Sequence, residues 1–320
     1  MKAAVYYETG GPNVFKYEEV LDPVCGLRDI VIDIRAISIE GGDVLNRTGG
    51  PMAAVPHIVG YDAAGVIRQV GEKVTNRQTG QRVTTLSPFG SHAEKRTAAA
   101  ITSWIIPDKV SFEEAACVPV TFGTAHDCLF EFGRLKAGET VLIQAGASGV
   151  GVAAIQLAKR AGARVLATAS SNQRLERLKG YGLDEGINYA EQDLVAEVRR
   201  LTENQGVDLV VDGVGGEILQ KSIEAARFRG RIITFGQAGR VFRKIDISGL
   251  AMGNKTLTGV YLGAEIATER AQKMIDQLLN DIAAGAIKVP IDRTFPLSQA
   301  AEAHAYIESR QAVGRVLLIP

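Results

Sequence analysis

Cysteine is scarce. Only Cys25, Cys117 and Cys128 occur in 320 residues. They are too few and too scattered for a disulfide framework, which excludes a disulfide-stapled secreted scaffold and makes a reduced, cytoplasmic setting the expectation. Long apolar runs are missing as well. No stretch approaches the ~20 residues of a membrane-spanning helix. The opening Met1-Lys-Ala-Ala-Val-Tyr-Tyr-Glu reads as a strand rather than as the apolar core of a signal peptide. Neither sign of charge is in excess: Lys+Arg and Asp+Glu both number 36. That balance argues against a nucleic-acid or membrane-surface role, each of which needs a basic face. There are no like-charge runs and no low-complexity tracts. What remains is a globular composition with length enough for about two domains.

The residues up to about 115 are β-rich. In Asp29-Ile-Val-Ile-Asp-Ile-Arg-Ala-Ile37, the side chains of Ile30, Ile32, Ile34 and Ala36 face one way and Asp33 and Arg35 the other. Short glycine-punctuated strands are expected near 64–70, 81–86 and 93–97. Ser111-Phe-Glu-Glu114 is a capping-box helix start, Ser with Glu three residues on. From there strands alternate with helices. Strands are expected at 140–144, 164–168, 186–189, 208–212, 231–235 and 256–261. This is the βαβ rhythm of a parallel, doubly wound sheet. Beyond it, helices are expected at 268–284 and 299–308 and a strand at 315–319. This tail has no place in the nucleotide sheet and is expected to return to the N-terminal domain.

The most informative segment is Thr140-Val-Leu-Ile-Gln-Ala-Gly-Ala-Ser-Gly-Val-Gly151. An apolar strand runs into a glycine-rich turn, and the helical spacing of Val150, Ala153, Ala154, Leu157, Ala158 and Ala161 follows at once. Such a turn aims backbone N–H groups and a helix N-terminus at a pyrophosphate. The candidate positions are Gly146, Ser148, Gly149, Val150 and Gly151. The bland alternative is a corner whose glycines serve packing alone. An NAD site places a carboxylate at the end of the next strand to hold the ribose 2′-OH. Here that stretch reads Ala167-Thr-Ala-Ser-Ser-Asn-Gln-Arg174, with no carboxylate. Ser170, Ser171 and Arg174 suit a 2′-phosphate, so the expected cofactor is NADPH. The bland reading of Arg174 is a solvated residue at a helix start.

Several motifs now carry a resemblance. Gly60-Tyr-Asp-Ala-Ala-Gly-Val-Ile-Arg-Gln-Val-Gly71 with Gly80-Gln-Arg-Val83 resembles the medium-chain dehydrogenase/reductase superfamily. Gly10-Gly-Pro-Asn-Val14, Ala145-Gly-Ala-Ser-Gly-Val-Gly151 and Gly314-Arg-Val-Leu-Leu-Ile-Pro320 resemble its zinc-independent NADPH:quinone oxidoreductase branch, which includes ζ-crystallin. The resemblance spans essentially the whole chain. It implies an α/β protein in which a GroES-like β-rich catalytic domain (1–120 and 263–320) joins a Rossmann-fold, doubly wound parallel-sheet domain (121–262).

Zinc-dependent members of the superfamily carry a catalytic Cys and His in segments that here read Ser38-Ile-Glu-Gly-Gly-Asp43 and Gly60-Tyr-Asp62. Glu40 and Tyr61 stand in their places, and the four-cysteine structural-zinc lobe is absent. The four histidines, His57, His92, His126 and His304, show no ligand spacing, so no metal is expected. The resemblance further implies that Tyr189 and Arg310 contact NADPH. It also implies that Phe235 and Gly236 pass under the nicotinamide ribose, that Val260 and Tyr261 flank the amide, and that Thr124 meets the nicotinamide face. Two departures stand out: many quinone reductases have Asn in place of Glu40 and Tyr in place of Leu45.

Reduction of a simple ketone calls for a Lewis acid or a positioned acid to stabilise an alkoxide. Hydride addition to a quinone or an α,β-unsaturated carbonyl gives a delocalised anion that solvent can protonate. The residues therefore point to hydride transfer onto conjugated acceptors, with Tyr61 as a hydrogen-bond or proton donor and Glu40 holding a water or restraining the nicotinamide. Tyr61 as a packing residue and Glu40 as a helix-start carboxylate stay open. So do an enoyl-thioester reductase and a ζ-crystallin-like structural or nucleic-acid-binding protein that retains NADPH. Cys117 and Cys128 read as small core residues. Residues 256–262 are apolar enough for edge pairing into a homodimer or homotetramer.

Overall fold

A computed structural model describes every residue of the chain except Phe242. The chain forms two compact units, Met1–Gly123 with Ala264–Pro320, and Thr124–Gly263.

Thr124–Gly263 is built on a six-stranded parallel sheet. Across the sheet the strands are Glu185–Asn188, Arg164–Ala169, Thr140–Ile143, Val207–Asp212, Ala226–Thr234 and Thr256–Gly259. In chain order this reads third, second, first, fourth, fifth, sixth, the doubly wound arrangement of dinucleotide-binding folds. Each falls where an apolar run was expected. Val207–Asp212 is buried at every position, as a strand covered on both faces must be. Leu142, Leu166, Ile187, Val210 and Ile232 from the sheet pack with Leu194 and Val198 of helix Leu194–Leu201 and with Ile223 of helix Gly216–Ala225. The strand order reverses between Thr140–Ile143 and Val207–Asp212, and ligands of such sheets bind beyond the carboxyl ends at that point.

Helix Gly149–Arg160 departs from the single apolar stripe read from the sequence. Val152, Ile155 and Gln156 are buried along with Ala153, Ala154, Leu157 and Ala158. The sheet covers one side of this helix and the Asp127–Glu131 turn packs on it as well.

The other unit holds a seven-stranded, mostly antiparallel sheet. Its strands run Ile291–Pro296, Arg315–Ile319, Asp29–Ser38, Asp62–Val70, Arg82–Leu86 and Ser103–Ile105, with Lys95–Ala99 also paired to Asp29–Ser38. Ile30, Ile32, Ile34 and Ala36 are buried as the alternation predicts, but so are Val31 and Ile37. Register shifts against Asp62–Val70 bend this long strand and bring parts of its other face under cover. Arg315–Ile319 lies antiparallel to Asp29–Ser38, so Val316 and Leu318 join Ile30, Ile32 and Ile67 in one core. Among the described residues, no helix is long and apolar enough to cross a membrane.

Candidate active site

The glycine turn is fastened from both sides. The Ala145 N–H donates to Thr168 Oγ1 at 3.0 Å and the Gly146 N–H to the Thr168 carbonyl at 2.8 Å. Ala145 adopts φ +50°, left-handed for a residue with a side chain, which only a small one tolerates cheaply in such a turn. A Cβ on Gly151 would lie 2.5 Å from the Ala145 carbonyl oxygen, and one on Gly146 would lie 2.7 Å from Ala167 Cβ. Both glycines are thus demanded by the protein's own close packing, and the turn comes preformed. Ser148 caps the helix by accepting the Gly151 N–H at 3.1 Å. Gly149 and Val150 occupy the first two helical positions, whose N–H groups have no intrahelical acceptor and carry the positive end of the helix dipole.

At the end of the next strand, Ser170, Ser171, Arg174 and Tyr189 gather. Arg174 Nη1 donates to Ser170 Oγ at 3.0 Å, and Ser171 caps helix Asn172–Lys179 by accepting the Arg174 N–H at 3.4 Å. The strands ending at Ala169 and Asn188 are paired, and the Tyr189 N–H donates to the Ala169 carbonyl at 3.1 Å with its ring partly in solvent. One carboxylate comes near: Glu191 accepts from Asn172 Nδ2 at 3.3 Å, a neighbour the sequence pattern did not single out.

A third group forms beyond the last two strands of this sheet. The Val260 N–H donates to the Thr234 carbonyl at 2.8 Å. A shallow cavity of about 330 Å³ is lined by Thr234, Gly236, Gln237, Gly259, Val260 and Tyr261. Val260 is buried and Tyr261 is largely exposed. Phe235 turns its ring onto Gly213, where a Cβ would lie 2.4 Å away, so its side chain packs the turn after Asp212. Thr124 is buried in the single α-turn Gly123–His126, between two π-helical segments, Val118–Phe122 and Asp127–Glu131. Such widened turns occur often at functional sites.

In the other unit, Glu40 and Tyr61 come together at the start of helix Gly41–Gly49. Glu40 is its N-cap, and its N–H donates to Asp43 Oδ2 at 2.8 Å. The Tyr61 ring packs on Gly42, where a Cβ would lie 2.4 Å from it, and the Tyr61 carbonyl accepts from Arg96 Nη1 at 2.6 Å. Glu40, Asp43 and Asp62 are all buried, as is Arg96. Burial pushes the Asp43 carboxyl up to about 8. Burial also raises Asp62 well above the usual carboxylate range, helped by the charge of Glu40. Glu40 is raised by burial too, against the opposing pull of Arg315, Ser38 and Thr121. Arg310 lies apart from this cluster, exposed at φ +58° just past helix Ala300–Glu308. That helix is tied to Gly41–Gly49 by the Arg47–Glu308 ion pair at 2.7 Å. Leu45 is 41% exposed on the same short helix as Asp43.

Comparison with known proteins decides the lineage. Residues 26–170 match the family described as alcohol dehydrogenase GroES-like domain, and residues 149–280 match the one described as zinc-binding dehydrogenase. A 2-haloacrylate reductase from Burkholderia sp is 31% identical over 99% of this chain and 98% of its own length. A quinone oxidoreductase from Pseudomonas aeruginosa is 31% identical over 97% of each. The crystal structure of Escherichia coli quinone oxidoreductase complexed with NADPH superposes with a TM-score of 0.95 at 30% identity, over 100% of both chains. This chain belongs to the zinc-independent quinone oxidoreductase branch of the medium-chain dehydrogenase/reductase superfamily.

Among the described residues, no group of three or more His, Cys, Asp or Glu side chains is arranged to hold a metal ion. Cys117 and Cys128 are fully buried, and burial pushes the Cys117 thiol up to about 12, which fits a packing role.

Three residues around Glu40 escaped the sequence reading: Arg315, Asp43 and Thr121. A signal existed for the first. Arg315 opens the apolar run Arg-Val-Leu-Leu-Ile, and a lone arginine in a buried strand needs a partner. For Asp43 the signal was an acidic residue three positions after the helix N-cap.

Proposed function

We propose that this protein is an NADPH-dependent reductase that delivers hydride to a quinone or an α,β-unsaturated carbonyl compound. The observation that carries the reading is the Ser170–Arg174 pair at the end of the second parallel strand, in a chain that aligns end to end with an NADPH-bound quinone oxidoreductase. The residues present fit the cofactor: a preformed glycine turn, first-turn amides for the pyrophosphate, and a hydroxyl–guanidinium pair for the 2′-phosphate. When bound, NADPH supplies the hydride. The chain orients it: Val260 and Tyr261 bound the nicotinamide amide, Phe235 and Gly236 underlie its ribose, and Thr124 meets its face. Tyr189 reaches the 2′-phosphate, and Arg310 also contacts NADPH. Tyr61 donates a hydrogen bond to the acceptor carbonyl while charge builds on oxygen, and solvent protonates the resulting hydroquinone anion on oxygen or the enolate on carbon.

We infer further that the protein acts in the cytoplasm, supported by three unpaired cysteines, and pairs as a homodimer through the free edge of strand Thr256–Gly259. Light scattering measures the assembly; a monomer rejects the pairing. The function is tested by a turnover screen with NADPH and NADH against 1,2- and 1,4-quinones, alkenals and enoyl-CoA esters. Turnover of quinones or alkenals with NADPH is expected. A strict preference for enoyl-CoA esters, or no turnover at all, overturns the assignment.

A further inference from the structure

Glu40 is gripped from distant parts of the first unit. Its carboxylate accepts from Arg315 Nη2, from Ser38 Oγ at 3.0 Å and from Thr121 Oγ1 at 3.4 Å and 3.5 Å. Arg315 is fixed in turn. Its Nη2 donates to Ser38 Oγ and to the Ile39 carbonyl, each at 2.6 Å, and its Nε donates to Ser38 Oγ at 3.1 Å. Arg315 is 6% exposed and Glu40 3%. Thr121 belongs to the π-helical segment Val118–Phe122, and a second buried carboxylate holds the same segment, since Asp62 Oδ2 accepts the Val120 N–H at 3.1 Å. Thr124 follows three residues after Thr121 in the same helical run.

We propose that Arg315 is a positioning residue: acting through Glu40 and Thr121, it holds the π-helical turn that leads into Thr124 and so sets the pose of the nicotinamide. The inference rests on the reductase reading above. Arg315 touches neither substrate nor cofactor in this scheme. The charged and titratable groups facing Glu40 are Arg315, Asp43, Asp62 and Cys117. Arg315 is the one cation among these, with Arg96 facing Asp43 and Asp62 instead. Without it, a buried Glu40 beside two further carboxyls takes up a proton. A neutral Glu40 is a weaker acceptor for Ser38 and Thr121, and the turn loses its anchor on one side.

The test uses the full chain as Arg315→Met, Arg315→Lys and Thr121→Val. With NADPH and the best acceptor, Arg315→Met is expected to lower kcat about tenfold or more while both KM values stay within about twofold, since small misplacements cost large factors in rate. Its rate is expected to acquire a new dependence on pH, absent from wild type, as the uncompensated Glu40 titrates. Arg315→Lys restores much of the rate by returning the charge. Thr121→Val reproduces the loss in kcat without a fall in Tm. A folded Arg315→Met enzyme with wild-type kcat and pH profile, or a neutral Thr121→Val, overturns the proposal. Should Arg315→Met not fold, the other two variants decide it. Failure of the reductase reading is separate, because wild type itself then reduces no acceptor. In that case the emission of bound NADPH decides: it shifts in Thr121→Val at unchanged Kd, or the proposal falls.

Discussion

His92 and His304 meet nitrogen to nitrogen inside the first unit, Nε2 to Nε2 at 3.0 Å, with Phe15 stacked on one imidazole and edge-on to the other. One Nε2 must carry a proton and the other must accept the hydrogen bond, so the accepting ring has to be neutral. Burial lowers the His92 pKa to about 3 and that of His304 well below its usual value. Both bases take up protons more readily unfolded than folded, so their contribution is complete above about pH 6.5 and is lost as pH falls below it. Because Asp43 and Asp62 pull the other way over the same range, the histidine contribution is read from stability between pH 7.5 and 5 as the difference between wild type and a His304 variant. His304→Gln, which keeps a donor and an acceptor for His92, is expected to lower the slope of stability against pH by up to ~1.4 kcal/mol per pH unit. An unchanged slope refutes the account.

Asp43 gives the opposite sign. Its folded pKa of about 8 lies above the ordinary 3.8, so it binds its proton more tightly folded than unfolded. The stability this carries is full below about pH 4 and is lost as pH rises toward 8. Asp43→Asn keeps an oxygen for the Glu40 N–H and removes the titration. The variant is expected to lose less stability than wild type between pH 6 and 8.5, read as the difference in urea midpoints. Parallel curves count against it.

Much of this fold is legible in the chain, and the reason is local. Val141 to Ile143 and Leu209 to Val211 announce buried parallel strands by unbroken apolar runs, and Ser111 with Glu114 forms the capping box expected of it. The glycine turn with Ser170 and Arg174 is readable because about thirty residues encode one βαβ unit. The Glu40–Arg315 and His92–His304 contacts are not readable, being 275 and 212 residues apart and set by strand pairing rather than by spacing. The π-helical turns beside Thr124 also left no periodic trace, because a widened turn breaks the 3.6-residue repeat it interrupts.

Arg174 offers a cofactor test. Its guanidinium already sits on Ser170 Oγ, ready for a phosphate between them. Arg174→Ala is expected to raise the KM for NADPH by roughly 10- to 100-fold, the worth of one charge-assisted hydrogen bond, and to leave the KM for NADH near wild type. Equal effects on both nucleotides contradict a 2′-phosphate role.

Tyr61 is tested by two changes that separate hydroxyl from ring. Tyr61→Phe keeps the packing on Gly42 and is expected to lower kcat by about 10²-fold at unchanged Tm, the usual span for a positioned proton donor. Gly42→Ala leaves the hydroxyl but pushes on the ring, and is expected to lower kcat as well. Unchanged turnover in Tyr61→Phe leaves Tyr61 a packing residue.

The antiparallel pairing of Arg315–Ile319 with Asp29–Ser38 bears on how the protein is made. Chains emerge from the ribosome N-terminus first, and units fold as their residues appear. The parallel sheet is encoded in one continuous stretch and is complete once Gly263 has emerged. The other unit begins earlier but finishes later, its central strand waiting with the Ile37–Ser38 end of one edge unpaired. During that interval Glu40 has no cation to answer its charge, and a nascent chain halted before Arg315 carries a finished nucleotide fold beside an open β-sheet, the form on which a chaperone or a protease would act.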